Sequence, residues 1–68
     1  MVVEAKRKNV CSAIRYDGHN ESVVRAFVEP LGGNFKTGTT VGTWYVYENF
    51  EISMMPDSYF RSNFDVLQ

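Results

Sequence analysis

The chain has 68 residues, of which 44% are hydrophobic, 15% aromatic and 22% charged, with a formal net charge of −1. Near-average apolar content and near-zero net charge exclude a disordered segment and describe one small globular domain over residues 1–68. No apolar run reaches the roughly 18 residues of a membrane span, and the single cysteine rules out an internal disulfide.

Met1-Val2-Val3-Glu4-Ala5-Lys6-Arg7-Lys8 carries its charges after its apolar residues, the reverse of a signal peptide, so a cytoplasmic protein is expected. Lys6, Arg7 and Lys8 read as a solvated edge ahead of the first strand. With Arg15 they could alternatively contact the phosphates of a nucleic acid. A calculated isoelectric point of about 5.7 argues against that second reading.

Residues 9–16 alternate as a strand, with Val10, Ser12, Ile14 and Tyr16 on one face and Cys11, Ala13 and Arg15 on the other. Asp17-Gly18 ends it, and Asn20 stands where a helix N-cap belongs. Val23, Val24, Phe27, Val28 and Leu31 recur at three- and four-residue steps, which predicts an amphipathic helix over 20–29, closed by Pro30 and Gly32-Gly33. Residues 32–43 are rich in Gly and Thr. They form either one loop or a short strand near 34–37 between two turns, and the glycines with Lys36 could cradle a phosphate.

Residues 43–55 predict a β-hairpin turning at Glu48-Asn49. Trp44 and Val46 take one face and Tyr45 and Tyr47 the other, while Phe50, Ile52 and Met54 share a face. Phe60 and Phe64 suit one helical turn after Pro56, and Asp65-Val66-Leu67 could add an edge strand. The fold class is therefore α+β, with one helix packed on an antiparallel sheet of three or four strands in the order β-α-β-β plus a C-terminal turn or strand.

No catalytic constellation is legible. Cys11 in a strand and His19 in the following turn are the sole nucleophile–base pair, with no third group to orient them. With one Cys and one His there is no metal site of ordinary spacing, and no cofactor is expected. The aromatic hairpin is the informative feature, because seven of the ten aromatics follow residue 40 and one helix covers only one face of a sheet. Tyr45, Tyr47, Phe50 and Ile52 are accordingly expected to form a contact surface rimmed by Lys36 and the Gly/Thr loop. A 68-residue core without disulfide or metal further predicts a homo-oligomer.

Lys6-Arg7-Lys8, the strand ending Ala13-Ile14-Arg15-Tyr16 and the Asn20-led helix resemble the opening of a family of very small phage-encoded proteins. Gly42-Thr43-Trp44-Tyr45-Val46 is similar to that family's Gly-Asp-Trp strand, with Thr43 in place of Asp. Pro56-Asp57, Phe60 and Phe64 are similar to its closing Pro-Asp-x-Phe-x-x-x-Tyr pattern, with one extra residue before Phe60. The resemblance spans roughly residues 6 to 67 and implies a fold and a phage origin without catalytic residues. The expected function is a non-enzymatic binder acting in the host cytoplasm. It would inhibit a host protein of antiviral defence or sequester a small signalling nucleotide. A nucleic-acid-binding regulator or a virion or assembly component are the alternatives.

Overall fold

A computed structural model describes residues 2–67. The elements in chain order are β1 (Val2–Lys6), β2 (Val10–Arg15), α1 (Glu21–Val28) continued by a 3-10 turn (Glu29–Leu31), β3 (Trp44–Glu48), β4 (Glu51–Met55), α2 (Asp57–Asn63) and β5 (Asp65–Val66). All strand pairs are antiparallel, in the spatial order β4-β3-β2-β1-β5. The architecture is α+β as expected, but the sheet has five strands instead of three or four.

The additional strand is β1, which shares only Lys6 with the basic segment expected to form a solvated edge. Its pattern is a weak alternation, with the small residues Val3 and Ala5 on one face and Glu4 and Lys6 on the other. Pairing with Ala13 and Cys11 of β2 makes it a strand. Its Lys6-Arg7-Lys8 end forms the connection to β2.

Each face of the sheet has its own cover. On one face α1 and the following loop enclose Ile14, Val24, Val28, Phe35 and Tyr45, with Tyr16, Phe27 and Ile52 packed at the margin. On the other, α2 and the C-terminal segment enclose Ala5, Cys11, Ala13, Trp44, Val46, Phe60 and Phe64. The expectation of a single covering helix is thus corrected, because Phe60 lies within, and Phe64 directly after, a helix of seven residues that covers the face α1 leaves open. The rings of Trp44 and Phe60 stack at 3.8 Å and 9°, and Phe60 and Phe64 at 4.9 Å and 10°.

The predicted stripe on α1 splits in two. Val24 and Val28 are fully enclosed, Phe27 is half-buried, and Val23 and Leu31 are exposed. Asn20 precedes the helix without capping it by its side chain. Its amide instead ties the turn together, accepting from the Asp17 N–H at 2.9 Å and donating to the Arg15 carbonyl at 2.9 Å. Residues 34–37 form no strand. The hairpin turns one residue later than expected, at Asn49-Phe50, which both take positive φ, 53° and 63°.

The start of α2 is fixed by Asp57, which accepts a 2.8 Å hydrogen bond from the Trp44 indole N–H and one of 2.9 Å from Arg61. These bonds favour the carboxylate, the Trp44 bond most, and hold its pKa below the ordinary value. Asp57 therefore stabilises the fold in full above the unfolded-state value of about 3.9, and that contribution disappears as pH falls through the lower native value. Asp57→Asn should flatten this acid limb of the stability curve, measured as the urea midpoint against pH, and an unchanged limb would exclude Asp57 as its source.

Candidate functional site

The residues expected to form one contact surface are distributed over core and surface. Tyr45 is fully enclosed. Its hydroxyl accepts from the Lys36 backbone N–H at 3.2 Å and shares a 2.7 Å hydrogen bond with Thr39, so it lies in the interior and not on the contact surface. Ile52 packs so closely under Gly33 that a Cβ there would come within 3.0 Å of it. Its side chain belongs to the margin of the α1-side core. The Lys36 side chain is exposed, but its loop sits over the Tyr45 hydroxyl and not beside Tyr47.

The Gly/Thr loop serves the fold in the same way. Thr39 donates its hydroxyl to the Lys36 carbonyl, closing a turn in which Gly38 takes φ +86°. This loop delivers Phe35 into the core, where the ring stacks on Tyr45 at 5.8 Å and meets Tyr16 edge-on at 5.1 Å.

The alternative basic set does not converge. Arg7 pairs with Glu48 at 2.7 Å and lies over the Phe64 ring at 4.9 Å, while Arg15, at the far end of β2, pairs with Asp57 at 3.6 Å. Lys6 projects from β1 toward the α1 side, and Lys8 lies in the β1–β2 turn, so the four cations occupy both faces and both ends of the sheet. Cys11 is buried with its thiol donating to the Ala5 carbonyl at 3.4 Å. Burial raises its pKa, which disfavours the thiolate a nucleophile requires. Among the described residues no group of three or more His, Cys, Asp and Glu side chains is placed to hold a metal ion.

Tyr47 and Phe50 remain at the surface. α1 crosses the Ile14–Tyr45 end of its face and leaves the end bearing Val10, Ser12 and Tyr47 open. A groove of about 560 Å³ runs there, lined by Val2, Ser12, Val23, Phe27, Leu31 and Tyr47 together with Ala26 and Pro30. A second hollow of about 340 Å³ continues from Ser12 and Tyr47 to Val10, Asn49 and Phe50. Tyr47 and Ser12 line both, so the two form one stripe from the flank of α1 to the tip of the hairpin.

Phe50 ends that stripe with 90% of its surface exposed. Two-residue hairpin turns with both φ values positive favour Asn and Gly, and a bulky side chain in the left-handed region is disfavoured. Asn49 suits its position and Phe50 does not, so an aromatic ring is held in water by a backbone conformation that opposes it. Val10, Val23 and Leu31 read in the sequence as members of a strand face and a buried helical stripe, and Val2 carries no mark of its own, yet all four are exposed. The sole signal was that α1 carries five apolar positions where two suffice to contact a narrow sheet. Comparison with protein-family models, curated proteins and solved structures returns no match.

Proposed function

We propose that this chain is a non-enzymatic binding protein, made by a phage and acting in the host cytoplasm, which docks on a host protein and inhibits it. The observation that carries the reading is Phe50, a disfavoured turn residue whose ring is exposed and continuous with an apolar groove. Backbone strain that the fold does not need is retained at sites of function. Exposed aromatic residues beside a preformed hollow are the anchors that protein interfaces use. The stripe contains no charged lining residue apart from Glu48 near the hairpin tip, which suits a protein surface better than a nucleotide phosphate.

The test is Phe50→Gly, because it separates stability from binding. Glycine adopts the left-handed region freely, so the variant should be more stable by roughly 1 kcal/mol, read as a higher urea midpoint. The same variant, used as bait in lysate of infected cells, should lose the host protein that the natural chain retains. A variant that is stabilised yet captures that protein equally well would remove Phe50 from the contact and overturn the reading.

A further inference from the structure

β4 is an outer strand of the sheet, and its free side is intact for pairing. Its register with β3 runs unbroken from Glu48↔Glu51 to Trp44↔Met55. In a two-residue hairpin the residues flanking the turn exchange both ladder bonds, so Glu51, Ser53 and Met55 bond to β3 while Ile52 and Met54 direct their N–H and C=O outward. Among the described residues no turn, loop or side chain bonds to these outward groups. Glu51 is the one charge on this edge, and Glu51–Met55 holds no Lys, no Pro and no bulge. The opposite edge, β5, is only two residues long.

We infer that β4 pairs with β4 of a second copy, antiparallel about a two-fold axis at Ser53, to make one continuous sheet. This inference goes beyond the proposed host contact, because it uses the sheet edge and not the stripe ending in Phe50. In this register Ile52 lies opposite Met54 of the second copy, and each copy's two free N–H groups meet the other's two free carbonyls. Moving the axis to Met54 would bring Pro56, which has no N–H, opposite Ile52. Moving it to Ile52 would bring the turn residue Phe50 opposite Met54. Only the axis at Ser53 uses both strands over their whole length.

Charge selects a second copy over an unrelated strand. Within one chain Glu51 lies directly opposite Glu48, a like-charge pair that disfavours the hairpin, and Arg7 is bonded to Glu48. Among the described residues Glu51 has no ion pair. The register places Glu51 of the second copy opposite Met55, on the face where a hollow of about 360 Å³ is lined by Arg7, Ser53, Met55 and Tyr59. Arg7, already bonded to its own Glu48, also lines that hollow, so each copy brings the other's unpaired carboxylate to the side of a cation, and a self-complementary patch closes as a two-fold dimer.

The test is Ser53→Cys, an exposed and nearly isosteric change at the closer, non-hydrogen-bonded pair, where disulfide geometry can be met across the axis. Under mild oxidation it should cross-link nearly completely to a covalent dimer, whereas the natural chain, whose one thiol is buried, should not. Sedimentation at micromolar concentration should give a dimer for the natural chain. For Glu51→Lys, association should weaken by about tenfold or more while the circular dichroism spectrum stays the same. A natural chain that sediments as a monomer would overturn the inference. So would a dimer that S53C fails to cross-link, which would place association on another surface such as the α1 groove, or a dimer that E51K leaves unchanged.

Discussion

Replacing Phe60 with Ala should destabilise the protein by about 3–5 kcal/mol, the ordinary range for removing a buried aromatic ring. Phe60 is fully enclosed and lies between the rings of Trp44 and Phe64, so its loss opens the α2-side core at its centre. Among the described residues no other helix covers that face, and beneath the stacked rings the cluster holds the short side chains of Ala5, Cys11 and Ala13, leaving little with which to refill the space. A domain of this size has a total stability near the low end of the usual range of roughly 5–15 kcal/mol, so F60A should be largely unfolded at 25 °C. Phe27→Ala gives the contrast. The helical spacing marks Phe27 as the centre of the buried face of α1, yet the ring is half-buried at its flank, and the loss should be clearly smaller. Urea titrations followed by circular dichroism would rank the two, and an F27A variant less stable than F60A would reverse the assignment of core and margin.

The comparison of these phenylalanines shows which part of the fold the sequence carries on its own. Alternation within β2 and β3 assigned every residue to its correct face, because the period of a strand is independent of what covers it. The helix and the hairpin were legible for the same local reason. What covers each face is not a local property. Asp57–Asn63 reads as a single turn because only Phe60 and Phe64 are apolar at helical spacing, and its helix is held by Trp44, thirteen residues earlier in the chain, through the indole bond to Asp57. β1 has no strong pattern of its own, with only Val3 and Ala5 facing the α2 side and Val2, Glu4 and Lys6 mixed on the other, and only pairing with β2 makes it a strand.

The same limit displaced the candidate surface. With one covering helix assumed, an aromatic strand had to expose one face, and Tyr45 and Tyr47 were its natural members. With both faces covered, the exposed area depends on how far each helix reaches. α1 ends its coverage between those two tyrosines, and that boundary has no signature in a single sequence. Phe50 was found by its type, while its strain came from a turn placed one residue later than the Asn alone suggested.

The two tyrosines therefore make a sharp test of where the core stops. Tyr45→Ala should destabilise by about 3–5 kcal/mol, since it empties a fully enclosed ring site between Ile14, Val28 and Phe35. It also removes the hydroxyl that accepts from the Lys36 N–H and pairs with Thr39, freeing the loop that inserts Phe35. Tyr45→Phe keeps the ring and loses only those bonds, at about 1 kcal/mol, so it measures how much the loop depends on them. Tyr47→Ala, two residues along the same face, should leave the chain folded with a much smaller loss, because its ring lies half-buried in the groove beside α1. Its effect should appear in capture of the host protein instead, together with that of F50G. Equal losses of stability at positions 45 and 47 would mean that α1 covers the whole face and that no open stripe exists. A folded Y45A variant would return Tyr45 to the surface.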